Sequence, residues 1–329
     1  MRKIRAAQIG MSTHGHSVQV FASMKKQSEL FDIVGYAIPE GQEVLPERAK
    51  VLEGYRRMTV EEILADDAIE AVIVESDERD LTRYALAAAK AGRHVHMEKP
   101  GGTDAAEFEE LIRTVQASGK VFHTGYMYRY NPEVIRLLEQ IRAGELGEII
   151  SVEAQMNCFL DDANRRWMGA YPGGMMYWLG CHLIDLIVRI QGQPRSVLPL
   201  SRATGLGGID SQDAGLALLS YPRGISIART VAVERGGFLR RELVVTGTKG
   251  TVELRPLECY QDGGMYTFRR ETFTTGWHTP GTDTRSPAFD RYDGMMAAFA
   301  RMVRGETVNP YTPEYELALH RIILQCCGV

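Results

Sequence analysis

The fold of this chain is indicated most directly by residues 4–15, which read IRAAQIGMSTHG. The first part of this stretch is an apolar run that predicts a buried β-strand, and the run ends at a glycine. Residues from about 16 to 28 then have the spacing of an amphipathic helix. A helix that begins after such a turn directs its N–H groups and the positive end of its dipole at a pyrophosphate. The sequence therefore predicts a dinucleotide-binding turn, whose candidate ligands are Gly10, Ser12, Thr13, His14 and Gly15.

The turn departs from the pattern G-x-G-x-x-G at its middle position. Ser12 stands where the second glycine is expected, and its hydroxyl can donate a hydrogen bond to a phosphate oxygen. An ordinary strand-to-helix turn, which needs Gly10 only for a positive φ angle, is the alternative interpretation. The position of the turn at the end of the first strand favours the dinucleotide.

The adenosine side of the predicted site is also unusual. Ile38 stands where an acidic residue, about 20 residues beyond the turn, is expected to bind the adenosine ribose. Glu40 follows and can reach the same ribose, whereas no Arg or Lys lies between Gly35 and Pro46 to bind a 2′-phosphate. We therefore expect NAD or NADP as the cofactor, with Ile38 beside the ribose, and the sequence does not choose between them.

The rest of the first third alternates short apolar runs with helical patterns. Buried strands are predicted at 71–74 and 94–97. Thr59 begins a capping box, and Thr103 is expected to cap a later helix. This alternation predicts an α/β fold with a doubly wound parallel sheet, the Rossmann arrangement, over residues 1–122.

The pattern changes after residue 122. Strands are predicted at 149–159 and within 213–254, and helices at 178–191, 288–304 and 313–327. We expect residues 123–329 to form a second α/β domain for substrate binding and oligomerisation. Its last helix is expected to pack back on the first domain.

Composition restricts the class of protein. The chain has 329 residues, which suits two domains, and 44% of them are hydrophobic. Its net charge is −4 without blocks of like charge, so we expect no nucleic-acid or membrane partner. Its beginning is too short and too polar for a secretory signal, and its 5 cysteines show no C-x-x-C spacing. These features predict a cytoplasmic protein with reduced thiols.

Five short motifs follow in order along the chain. They are Glu98-Lys99-Pro100 after a strand, GYMYRYNP at 125–132, GELG at 144–147, GCHLID at 180–185 and GTKGT at 247–251. In these motifs, and over nearly its whole length, the chain resembles the Gfo/Idh/MocA family of glucose–fructose oxidoreductase and inositol dehydrogenase. The resemblance implies an N-terminal Rossmann domain and a C-terminal α/β domain with an open, largely antiparallel sheet, often used in a homodimer or homotetramer.

The resemblance also implies an activity and the residues that carry it. The chain would be an NAD(P)-dependent oxidoreductase that moves hydride to or from a secondary hydroxyl or ketone of a cyclic polyol or sugar derivative. Lys99 would lie beside the nicotinamide and the substrate hydroxyl, Glu98 would contact the nicotinamide-side ribose, and His182 would act as acid or base. A neutral histidine, or a lysine whose pKa burial lowers, can take a hydroxyl proton at neutral pH. A cationic Lys99 would instead stabilise the developing alkoxide.

Some positions depart from the family pattern. Trp178 stands where an aspartate usually orients the histidine, and Asp185, three residues after His182, can substitute for it. The loop Glu75-Ser76-Asp77-Glu78 replaces a neutral segment, so its carboxylates would repel a pyrophosphate unless they point away. Ser76 of this loop is a further candidate cofactor ligand. The candidate substrate ligands are Arg129, Trp167, Trp178 and Asp185. The pairs His14/His16 and His94/His96 lack further ligands at zinc spacing, so we expect no metal.

Two alternatives remain open. An NAD-dependent glycosidase of the same fold, which oxidises its substrate transiently and eliminates the aglycone, would use Trp178 as a flat platform for a sugar ring. A non-catalytic sensor of a sugar or dinucleotide would account for the unusual residues Ser12, Ile38 and Trp178.

Overall fold

The computed structural model describes residues 2–329. The chain divides into two compact units, one comprising the residues up to 127 with 292–320, the other comprising 128–291 with 321–329. The division into a cofactor domain that ends at residue 122 and a second domain stays a prediction about function. Among the described residues, no helix is long and apolar enough to cross a membrane.

The elements alternate regularly up to residue 127. They are β1 (Ile4–Ile9), α1 (Ser17–Lys26), β2 (Phe31–Ala37), α2 (Pro46–Ala49), α3 (Val60–Ala65), β3 (Ala71–Val74), α4 (Leu81–Lys90), β4 (His94–Met97), α5 (Ala105–Ser118) and β5 (Phe122–Thr124). Strands dominate the later part of the chain. The elements there are α6 (Pro132–Arg142), β6 (Ile149–Asn157), α7 (Asp162–Met168), α8 (Cys181–Gln191), β7 (Ser196–Pro199), β8 (Ala214–Ser220), β9 (Ile225–Val231), β10 (Glu242–Gly247), β11 (Thr251–Leu254), β12 (Cys259–Gln261), β13 (Gly264–Tyr266), β14 (Phe268–Thr272), β15 (Thr282–Arg285), α9 (Asp293–Val303) and α10 (Pro313–Cys327).

The first unit contains a five-stranded parallel sheet. Its order is β2-β1-β3-β4-β5, and every neighbouring pair is parallel. This confirms the predicted Rossmann arrangement, and the bounds of β1, β3 and β4 are those predicted. β3 was recognisable because it is buried throughout and reads as a continuous apolar run, AVIV. In β1 and β4 all but one residue each are buried, although polar residues interrupt both sequences.

Side-chain hydrogen bonds to backbone N–H groups determine where two helices of this unit, α3 and α5, begin. The capping box is confirmed, since Thr59 Oγ1 accepts from the N–H of Glu62 and the Glu62 carboxylate accepts from the N–H of Thr59. The predicted cap at Thr103 is wrong. Asp104 caps α5 instead, because its carboxylate accepts from two N–H groups of the first turn, at 2.8 and 3.1 Å.

The second unit is built on an eight-stranded sheet. Its order is β15-β14-β11-β10-β6-β9-β8-β7, and β6 with β9 is its parallel pair. The predicted open, largely antiparallel sheet is thereby confirmed. No strand was predicted in residues 259–285, which contain four. β14 and β15 belong to this sheet and are rich in polar residues, which hides their alternation, whereas β12 and β13 form a separate two-stranded sheet.

The predicted helix from Trp178 to Gln191 is wrong at its beginning. The α-helix begins at Cys181, and residues Met176–Gly180 before it form a π-helical turn. A π-turn adds a residue to the helical repeat, so Trp178 does not stand one regular α-helical turn before His182.

Candidate functional site

The glycine turn and the loop after β3 meet at the carboxyl edge of the parallel sheet. Gly10 has a φ of +93°, and a Cβ atom there would lie 2.4 Å from the backbone of Ser76. The N–H of Ser12 donates to the carbonyl of Glu75 at 2.8 Å. The sheet order places β2 on one side of β1 and β3 on the other, so the turn lies at the switch point where α/β folds bind ligands. Ser76, a predicted cofactor ligand, is itself buried in this contact.

The side chain of Ser12, in the middle of the turn, does not occupy the outer surface of the turn. Ser12 is completely buried, and its Oγ accepts from the N–H of His14 at 3.3 Å. Thr13 is exposed, while His14 and Gly15 are half-buried. These three predicted ligands therefore form the accessible edge of the turn, and the chain before α1 is compatible with a pyrophosphate there.

Arg48 is a residue of the turn that sequence reasoning missed. It lies on α2, and its Nη2 donates to the carbonyl of Ser12 at 2.6 Å and to Ser17 Oγ at 3.0 Å. The guanidinium thus holds the carbonyl side of the turn. No sequence pattern marked it, because α2 is a four-residue helix without a buried face.

A pocket of about 370 Å³ lies at the end of β2, where the adenosine ribose was expected. It contains the predicted residue Ile38 together with residues of α3, α4 and the segment before α3. The charged groups that line it are Glu40, Arg57, Glu61 and Arg83. Arg57 and Arg83 were missed because they lie outside the stretch that follows β2. Two guanidinium groups beside an isoleucine make this end of the site compatible with a 2′-phosphate as well as with a ribose hydroxyl.

Glu98 and Lys99 follow β4 and are almost completely buried. Glu98 is 1% exposed and Lys99 is 2% exposed, and Lys99 Nζ lies 3.8 Å from Glu98 Oε1. His16 Nδ1, before α1, lies 3.0 Å from Glu98 Oε2. Burial alone would raise the pKa of Glu98, but the charge and hydrogen bond of His16, together with Lys99, lower it to about 2. Glu98 is therefore a carboxylate and keeps a negative charge beside Lys99.

The carboxyl groups of Glu75 and Glu78, which were expected to repel a pyrophosphate unless they point away, are buried inside the unit. Glu75 is 0% exposed and Glu78 is 1% exposed. Burial, opposed by Lys99, raises the pKa of Glu78 to about 7. Burial and the neighbouring Glu98 raise the pKa of Glu75 well above its ordinary value. The described residues include no group of three or more His, Cys, Asp or Glu side chains placed to hold a metal ion.

In the second unit, His182 lies on α8 and is 1% exposed. The ring of Tyr128 packs edge-on against its imidazole, with 5.1 Å between the ring centres. Tyr128 in turn donates to Glu258 Oε2 at 2.6 Å and accepts from Arg241 at 3.0 Å. Tyr128 therefore links His182 to a buried charged network.

Arg129 and Asp185, both predicted to bind substrate, bind each other. The guanidinium donates three hydrogen bonds to the carboxylate, between 2.7 and 3.1 Å, and both side chains are 1% exposed. A buried bidentate pair of this kind is a structural element of the unit. Its burial leaves little of either side chain for a ligand.

Trp167 and Trp178 lie together in an aromatic cluster. Their ring centres are 6.0 Å apart and nearly perpendicular, and Tyr171 packs against Trp167 at 5.1 Å. Both tryptophans are half-buried. The structure therefore brings together the two aromatic residues predicted to contact a sugar ring.

Comparison with known families gives two matches in chain order. Residues 4–126 match the model described as oxidoreductase family, NAD-binding Rossmann fold. Residues 134–253 match the GFO/IDH/MocA C-terminal domain. The matches confirm the resemblance inferred from the motifs, the prediction of an oxidoreductase and the prediction of a nicotinamide dinucleotide as cofactor.

Among curated proteins, the chain is similar to scyllo-inositol 2-dehydrogenase (NADP(+)) IolW of Bacillus subtilis, with 27% identity over 60% of this chain and 55% of that protein. It is similarly related to trans-1,2-dihydrobenzene-1,2-diol dehydrogenase of Bos taurus, with 27% identity over 59% of this chain and 57% of that protein. These alignments span less than two thirds of the relatives' own lengths.

Solved structures share the fold over the whole chain. KijD10, a 3-ketoreductase from Actinomadura kijaniata, superposes with a TM-score of 0.79 at 18% identity, covering 98% of this chain and 96% of its own. A putative NADPH-dependent oxidoreductase from Desulfitobacterium hafniense gives a TM-score of 0.80 at 19% identity, covering 100% and 95%. At these identities the likeness establishes the fold.

Proposed function

We propose, from the premise that the chain belongs to the GFO/IDH/MocA oxidoreductase family, that it interconverts a secondary alcohol and the matching ketone on a cyclic polyol or sugar derivative. The names of two curated relatives, an inositol dehydrogenase and a dihydrodiol dehydrogenase, support a cyclic carbon skeleton that bears hydroxyl groups. NAD or NADP is the hydride carrier.

The observation that carries the proposal is the burial of Lys99 beside Glu98 at the carboxyl edge of the Rossmann sheet. Lys99 is 2% exposed beside a carboxylate, and burying its charge costs folding free energy. Its position next to the dinucleotide turn therefore favours a role in the reaction. The resemblance points to the same residue.

A bound nicotinamide would supply or accept the hydride, and the residues of this chain would manage charge and protons. The accessible edge of the turn at Thr13, His14 and Gly15 would hold the pyrophosphate, and the pocket at Ile38 would hold the adenosine end. Lys99 would bind the oxygen of the reacting carbon, where an ammonium stabilises an alkoxide and can pass on its proton. His182 stays the proposed acid or base of the second unit, oriented by Tyr128.

Fluorescence titration of the purified chain with NADPH and NADH tests the cofactor first. Turnover is then followed at 340 nm with inositols, aldoses and their keto forms. We expect binding of at least one cofactor and reduction or oxidation of a cyclic substrate. Absence of binding to both cofactors would refute the proposal and favour a sugar sensor, whereas cleavage of a chromogenic glycoside without net NADH would favour the glycosidase.

We also propose that the chain forms a homodimer or homotetramer through its eight-stranded sheet. Several residues on one face of the sheet are apolar and half exposed, namely Leu216 and Leu218 on β8, Ile227 on the neighbouring β9, and Val244 on β10 beyond β6. A second copy can cover such a surface. Light scattering should give a mass of two or four chains, and L218E should lower it; a monomeric wild-type chain would refute this assembly.

A further inference from the structure

The loop that follows Lys99 is anchored by two side chains that have no part in the site described so far. The N–H of Gly102 donates to Thr82 Oγ1, in the first turn of α4, at 2.7 Å. The carbonyl of Gly102 accepts from His320 Nε2, on α10, at 2.8 Å. Thr82 is 0% exposed and His320 is 1% exposed, so water does not compete for either hydrogen bond. All of these residues belong to the first unit.

The imidazole of His320 is held in one orientation. A carbonyl oxygen only accepts, so the bond to Gly102 requires a proton on Nε2 of the ring. The ring also stacks on Phe108 of α5, with 4.0 Å between the ring centres and 6° between the planes. Phe108 lies against Gly101 as well, where a Cβ atom would be 2.8 Å from Phe108 Cε2. Phe108 therefore packs both against the loop and against the ring that binds the loop.

The segment after Lys99 needs such anchors because the sheet fixes only one of its ends. On the side before Lys99, the N–H of Glu98 donates to the carbonyl of Val74 in the neighbouring strand at 2.9 Å. On the other side, Gly101 and Gly102 follow each other, and Gly101 has a φ of +101°. Two consecutive glycines have access to many backbone conformations. The hydrogen bonds to Gly102 therefore remove freedom that the sequence of this loop would otherwise allow.

We propose that His320 is a positioning residue for Lys99, which keeps the lysine in place for the reaction through the backbone of Gly102. The proposal rests on the proposed function, in which Lys99 binds the oxygen of the reacting carbon. A sheet hydrogen bond fixes the segment at Glu98, and the side chains of Thr82 and His320 fix it at Gly102. Lys99 lies between these two anchored points. A displacement of a reacting group by about 1 Å can lower a rate about a hundredfold, so the second anchor matters for turnover.

Five variants separate positioning from a merely structural role. H320F keeps a ring that can stack on Phe108 and removes the donor, whereas H320Q keeps an N–H group, because Nε2 is equally many bonds from Cα in glutamine and in histidine. T82V and T82S form the same kind of pair at the other anchor, since serine retains the accepting hydroxyl. N309A is the matched control. Asn309 also donates to a backbone carbonyl of this unit, that of Phe122 at 2.7 Å, but at the beginning of β5 and not in the loop after Lys99.

Turnover of the full chain is followed by nicotinamide absorbance with the inositol, aldose or keto form that the wild type accepts, and cofactor affinity by fluorescence titration with NADPH and NADH. We expect H320F and T82V to lower kcat about 10- to 100-fold and to change the cofactor Kd by less than about twofold. H320Q and T82S should recover most of this loss, and N309A should keep the wild-type kcat. In the K99M background, H320F should lower the remaining turnover no further, because His320 acts through Lys99.

Three results would overturn the proposal while leaving the proposed function intact. They are a wild-type kcat in H320F, a kcat of H320Q as low as that of H320F, and a further loss when H320F is added to K99M, which is what a merely structural role would give. Circular dichroism melting of each variant shows whether it is folded, and T82V with T82S provides the test if H320F is not. Failure of the wild-type chain to bind either cofactor would refute the proposed function and this inference together.

Discussion

Replacing Glu78 with glutamine should flatten the dependence of folding stability on pH. The side chain is 1% exposed, and burial raises the pKa of its carboxyl group from 4.5 to about 7. Between these values the folded chain binds more protons at this site than the unfolded chain does. The free energy of unfolding of the wild type must therefore fall as the pH rises through this range.

The size of the effect follows from the two values. A pKa difference of this size corresponds to about 3.4 kcal/mol at 1.36 kcal/mol per pH unit, and about 2.5 kcal/mol of it falls between pH 5 and pH 8. E78Q carries no titrating group, so this contribution disappears. We expect the stability of E78Q relative to the wild type to rise by about 2.5 kcal/mol between pH 5 and pH 8.

Urea denaturation followed by circular dichroism at pH 5, 6, 7 and 8 measures this difference. E53Q is the matched control, because Glu53 belongs to the same unit and its side chain is exposed. The control should follow the wild-type curve. If the curves of E78Q and the wild type stay parallel within about 0.5 kcal/mol, the reasoning is refuted and Glu78 is ionised in the folded chain.

Three further predictions concern the pocket at Ile38, the ion pair of the second unit and the buried lysine. R57A should lower the affinity for NADPH about tenfold and the affinity for NADH much less, because the variant would lose a charge-assisted hydrogen bond to the 2′-phosphate. R56A should change neither affinity, and fluorescence titration measures both. D185N should lower the free energy of unfolding by about 3–5 kcal/mol, because Arg129 is then buried without its charge partner; tryptophan fluorescence in urea reports this, and an unchanged midpoint would refute it. K99M should lower turnover by about 10²–10⁴-fold while NADPH still binds, and normal turnover would remove Lys99 from the reaction.

Contiguous motifs made much of the first unit predictable. Gly10 and Lys99 each lie in a short pattern at the end of an apolar run, so strand, turn and candidate site could be read together. The parallel sheet followed from the same runs, since strands buried on both faces leave a clear apolar pattern.

The rest of the site depends on side chains that only the folded chain brings together. Arg48 reaches the glycine turn, and Arg57 reaches the pocket at Ile38, from segments without a recognisable pattern. Arg129 and Asp185 are 56 positions apart in the chain, so their mutual ion pair could not be read from either motif. The carboxylate of Glu75 was expected to repel a pyrophosphate unless it points away, because the sequence shows the charge of a residue but not the direction of its side chain.

The hydrogen bonds that Arg48 donates to the turn determine whether the turn can be moved into another protein. Its guanidinium bonds the carbonyl of Ser12 and the hydroxyl of Ser17, and it comes from a segment more than 30 positions further along the chain. The structure of the glycine turn therefore depends on more than residues 10–15. Consider a chimaera that takes β1, the turn and α1 from this chain and all other residues from a relative without the arginine. Its turn would have the same sequence but would lack the hydrogen bonds that support it here.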